Sequence, residues 1–118
     1  GAPVPAGVNW DLWLGPRAVR PFSPAYIPCT WRDYWAFGTG MLGDLALHHL
    51  DPAFWALELR APQTSEASAA PQVIDPEITP LAGIYRYTFG ARGELPPVEL
   101  TWYEGGLMPQ TFVACTRT

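Results

Sequence analysis

The chain contains no lysine: all seven basic side chains are arginines, set against eleven acids, and the net charge is −4. Without clustered cations there is no stripe to neutralise phosphates, which argues against nucleic acid as a partner. No stretch approaches the ~18 apolar residues that span a bilayer, and GAPVPAGVNWDLWLGP at the start has no basic segment leading into an apolar run. No membrane partner, no export signal and a cytoplasmic location are therefore expected. Only two cysteines occur, Cys29 and Cys115, with no CxxC spacing, too few for a disulfide framework or a zinc site. Both are read as free thiols, and no metal is expected.

What is present is apolar and aromatic. Of 118 residues 48% are hydrophobic and 15% charged, the balance of a folded domain rather than of a solvated coil. That length supports one modest core, so a single partial domain over residues 1–118 is expected. The 14 prolines and 6 tryptophans are the unusual entries. Residues 1–37 hold Pro3, Pro5, Pro16, Pro21, Pro24 and Pro28, which interrupt both helical and strand periods, and read as a long irregular arm.

From Thr39 the pattern turns helical. Leu42, Leu45, Leu47, Leu50, Phe54 and Leu57 recur at three- and four-residue steps, which predicts one kinked helix over about 40–59 with Thr39 as its cap. Pro52 cannot donate to the His48 carbonyl, so the helix is expected to kink there or to restart with Asp51 as N-cap. Residues 60–80 read as loop with one short strand in QTSEASA, whereas GIYRYTFGA and VELTWYE alternate as strands joined through ARGELPP. The tail GLMPQTFVACTRT adds at most one more short strand. The expected fold class is α+β, a helix packed on a small, mainly antiparallel sheet.

In the helix, Asp44 and His48 lie one turn apart, where a carboxylate can orient an imidazole for acid–base work. The spacing alone equally describes an ordinary surface pair. His49 points about 100° away and reads as structural. Arg32, beside Trp31, offers a planar fork for a carboxylate or phosphate, though an ion pair with a nearby acid explains it as well. The tryptophans, Trp35 and Trp55 among them, offer apolar faces on which a sugar ring can lie, though core or interface packing is the commoner use. Gly38, Gly40 and Gly43 spell GxGxxG, but they follow a proline-rich arm rather than a strand, the wrong setting for a dinucleotide cradle.

Three motifs in order, NWDLWLGP (9–16), WRDYWAFGTGMLGDLALHHLDPAFWAL (31–57) and ARGELPPVELTWYEGG (91–106), resemble the C-terminal domain of bacterial oxidoreductases of the Gfo/Idh/MocA family, over roughly Pro3 to Leu107. The resemblance implies a substrate-binding and oligomerising domain whose full-length relatives use NAD or NADP and act on sugars or polyols. It also implies that His48 is the acid/base at the substrate hydroxyl and Asp44 its relay partner. The family's lysine and Rossmann unit belong to a part not present in these residues, so the chain holds no cofactor of its own and is expected to be inactive alone, a truncated domain that self-associates through a sheet edge or face. Two other readings stand beside it, a small carbohydrate-binding or adaptor module, and a subunit that completes a separate Rossmann-domain partner.

Overall fold

The computed structural model describes residues 1–70 and 75–110. Cys115 and most of the expected tail strand lie outside the described residues. The fold is α+β, with two compact units that the chain visits in turn.

The first unit takes in residues 1–45 and returns at 75–79. Residues 1–37 are not an extended arm. Prolines forbid long regular elements there, yet the aromatic side chains supply a core of their own. Asn9 caps helix α1 (Trp10–Leu14), its side-chain oxygen accepting from the Leu12 N–H at 3.1 Å, and the helix ends at Gly15, whose φ is 56°. Trp10 stacks on Trp13 at 4.7 Å and meets Phe22 edge-on at 5.2 Å, and its indole N–H donates to the Arg20 carbonyl at 2.8 Å. Tyr26 continues the cluster onto Tyr34 and Phe37 at 4.8 and 5.1 Å. Each such pair contributes about 0.5–1.5 kcal/mol beyond the area it buries, and Leu14, Phe22 and Tyr26 are buried.

Residues 75–79 close this unit through backbone bonds rather than through a loop in solvent. Tyr34 and Ile78 form an antiparallel bridge, the Trp35 N–H donates to the Glu77 carbonyl, and the Thr79 N–H donates to that of Asp33. Arg20 lies against the rings of Tyr26 and Phe37 and donates to Glu77 at 2.6 Å, and that hydrogen bond raises its pKa further.

Helical residues run from 40 to 56, opening into a π-helical turn over Leu42–Ala46 before α2 (Leu47–Ala56). Two expectations are corrected here. The helix continues through Pro52 without restarting, so Asp51 is an interior helical residue and not an N-cap. It also stops at Ala56 and not at 59. The Leu59 N–H donates back to the Phe54 carbonyl and that of Glu58 to Trp55, with Glu58 at φ 51°, a Schellman closure in which glutamate occupies the glycine position.

In the second unit the small, polar TSEASA forms β1 (Thr64–Ala69), and the β-branched and aromatic runs form β2 (Gly83–Phe89) and β3 (Val98–Glu104), together an antiparallel sheet in the order β1-β2-β3. Alternation puts Tyr85 and Phe89 on the face that meets α2. Phe54 meets Phe89 edge-on at 5.6 Å, and the ring of His49, an exposed residue of α2, lies 5.8 Å from that of Trp102. Arg92, in the β2–β3 loop, donates to the Leu57 carbonyl at 2.8 Å and satisfies an acceptor just past the helix C-terminus.

Candidate functional site

A 3-10 turn over Thr30–Asp33 and the π-helical turn carry the pair that defines the candidate site. Arg32 Nε lies 3.1 Å from Asp44 Oδ2, and the guanidinium carbon sits 4.5 Å above the ring of Trp31. Arg32 also donates from Nη1 to the Cys29 carbonyl at 3.3 Å. A cavity of about 210 Å³ surrounds the pair, with Trp31, Phe37 and Thr39 among its lining residues. The two side chains are 41% and 40% exposed, so the pair adds no more than about 1 kcal/mol to stability, and a ligand can open it at small cost. Both groups then face the ligand, one as a fork of donors and the other as an acceptor for hydroxyls.

Regular α-helical spacing between residues 44 and 48, on which the one-turn pairing rests, is interrupted by i→i+5 bonding over Leu42–Ala46. Such turns are frequent at functional sites. Asp44 is engaged by Arg32, and His48 is an exposed residue of α2. Trp35 and Trp55 are 54% and 84% exposed, and neither lines the Arg32–Asp44 cavity. Trp31 and Phe37 do. The adjacency of Trp31 to Arg32 is the sequence signal for the first, and nothing in the local pattern singles out the second. Among the described residues no group of three or more His, Cys, Asp or Glu is arranged to hold a metal ion. Cys29 is exposed.

The GxGxxG run has a packing explanation. A Cβ at Gly38 would strike the backbone of Arg32, Gly40 adopts φ 65° against the Thr79 side chain, and Gly43 lies under Thr39. A dinucleotide cradle keeps that space open for pyrophosphate, but here protein atoms fill it. These glycines therefore do not fit a nicotinamide cofactor.

Sequence reasoning missed a second polar cluster. Glu104, buried at the end of β3, accepts from the Tyr85 hydroxyl at 2.9 Å and from the Trp102 indole N–H at 2.9 Å. Burial, helped by that hydrogen bond, pushes the Tyr85 phenol up to about 12. Both carboxylate oxygens are satisfied, which is how a charge tolerates burial, and the cluster reads as architecture.

Residues 1–93 match an oxidoreductase-family C-terminal alpha/beta domain, that of Gfo/Idh/MocA. The chain belongs to this family. The Gfo/Idh/MocA match takes in the Arg32–Asp44 cavity, α2, β1 and β2, and ends within the β2–β3 loop, short of the third motif's β3. No curated protein matches the sequence significantly.

Proposed function

We propose that this chain is the substrate-binding domain of a nicotinamide-dependent oxidoreductase acting on a sugar or polyol. The observation that carries the reading is the Arg32–Asp44 pair, held on Trp31 in an open cavity and lying within the family match. In this reading Arg32 and Asp44 bind substrate oxygens by charge-assisted hydrogen bonds, which orient the ring. By the family motif, His48 takes the proton of the hydroxyl being oxidised and Asp44 belongs to the same relay. A nicotinamide cofactor, when bound, would supply the hydride acceptor. It would be held outside these residues, by a further domain or by a separate Rossmann-domain partner, and these 118 residues alone are expected to show no turnover.

The test is titration of the folded chain with a panel of aldoses and polyols, read by tryptophan fluorescence. Saturable binding that Arg32→Met weakens at least tenfold supports the reading, and a folded sample that responds to none overturns it.

A carbohydrate-binding or adaptor module is the second reading, favoured by the exposure of Trp35 and Trp55. It predicts that Trp55→Ala weakens sugar binding more than Arg32→Met does. We also propose that the chain self-associates through β1, whose six residues are exposed throughout and which pairs only with β2 among the described residues.

A further inference from the structure

The Arg32–Asp44 cavity has a neighbour in the same unit. A second cavity, of about 370 Å³, is lined by Trp13, Pro16, Arg17 and others, and it shares Trp31 and Phe37 with the first. The first cavity lies below the ~300–1,000 Å³ of ordinary small-molecule sites, whereas the second falls inside that range by itself.

The walls of the second cavity are fixed before any ligand arrives. Trp13 is stacked on Trp10 and meets Phe37 edge-on at 4.9 Å, and Trp10 is itself tied to the Arg20 carbonyl. The Arg17 N–H donates to the Leu14 carbonyl at 3.1 Å, which holds the turn after α1 and with it the root of the Arg17 side chain. Of the three arginines in this unit, Arg20 holds Glu77 and Arg32 holds Asp44, but Arg17 has no carboxylate within 4.0 Å among the described residues. A charged fork at the rim of an aromatic pocket, with no acid of its own, is free to take an anion on a ligand.

We propose that the Trp13–Arg17 cavity is a second subsite and that the ligand is an acidic saccharide. Its neutral ring sits at Arg32–Asp44, and its neighbouring ring, bearing a carboxylate or phosphate, lies along Trp13 with the anion on Arg17. The inference rests on the reading of the Arg32–Asp44 cavity as a sugar site.

The chain is titrated with cellobiose, with an aldobiouronic acid (a glucuronic acid linked to a neutral sugar) and with a phosphorylated disaccharide. The expected result is at least tenfold tighter binding of one or both acidic ligands than of cellobiose, and the tighter one identifies the anion. Arg17→Met is expected to bring the acidic ligands down to the affinity of cellobiose. Because Arg17 is exposed, the variant should retain the far-UV spectrum of the parent, and that spectrum is recorded alongside. Equal affinity for neutral and acidic disaccharides, or an acidic preference that survives Arg17→Met, overturns the second subsite while leaving the sugar reading of the first cavity intact. Failure of all three saccharides to bind a chain that still binds an aldose or polyol overturns the second subsite alone, and failure of these and of the aldose and polyol panel overturns both.

Discussion

Two of the partnered carboxylates, Asp44 and Glu104, illustrate opposite uses of the same group. Asp44 is 40% exposed and holds Arg32 in solvent, so its contribution to folding is small and its chemistry is available to a ligand. Asp44→Asn is therefore expected to change unfolding free energy by less than about 1 kcal/mol in a denaturant titration while weakening sugar binding. Glu104 is buried and spends both oxygens on Tyr85 and Trp102. Tyr85→Phe removes one donor and leaves that oxygen unpaired, at an expected cost of about 1–3 kcal/mol in the same measurement. A pH signature goes with it. The Tyr85 phenol sits above its ordinary value of 10, at about 12, so the folded state holds the proton more tightly than the unfolded chain does. That stabilisation is fully present below pH 10 and is lost as pH rises toward 12. Stability measured from pH 9 to 12 should fall less steeply in Tyr85→Phe than in the parent, and identical slopes would refute the assignment.

At the scale of elements, the helical segment carries two local faults that can be relieved. Pro52 stands inside α2, where it leaves the His48 carbonyl without its helical donor and its ring crowds the preceding turn. Pro52→Ala is expected to raise stability by about 1–3 kcal/mol, seen as a higher thermal midpoint. Glu58 holds a left-handed conformation that costs a side-chain-bearing residue about 1–2 kcal/mol, partly offset by the extra entropy a glycine loses on folding. Glu58→Gly should therefore be stabilising by a few tenths to about 1 kcal/mol, and a loss of stability would mean that the glutamate side chain has a further role. The helix period was legible because the leucines recur at helical steps. Its π-helical opening was not, since nothing in MLGDLA marks an i→i+5 turn. The end at Ala56 was also hidden, because the usual glycine signal is replaced by glutamate.

For the whole molecule, the proposed self-association turns on β1. Its exposed residues and its single pairing partner among the described residues predict that the chain dimerises or assembles further, with a sedimentation coefficient that rises with concentration. A monomer across the micromolar range would remove the proposal. The chain's course explains why sequence reasoning succeeded unevenly. β2 and β3 were legible, since their alternation depends on residues two apart, β1 only as a short strand in QTSEASA without alternation, and the α+β class was legible too. The proline-rich first 37 residues were read as an arm because proline excludes regular structure, yet exclusion of regular structure says nothing about burial. Trp10, Phe22, Tyr26 and Phe37 form a cluster from residues far apart in sequence, closed by residues 75–79 that read as loop.

By itself the sequence determined the acidic, lysine-free character, the helix and strands, the family, and the residue types at Arg32, Asp44 and His48. These depend on composition, on short-range periodicity and on local motifs. Only the tertiary structure decided that Asp44 pairs with Arg32, that Trp31 and Phe37 line their cavity in place of Trp35 and Trp55, and that the glycines serve packing. The physical reason is that a side chain's partner is set by where distant segments cross, and spacing along the chain carries no record of that.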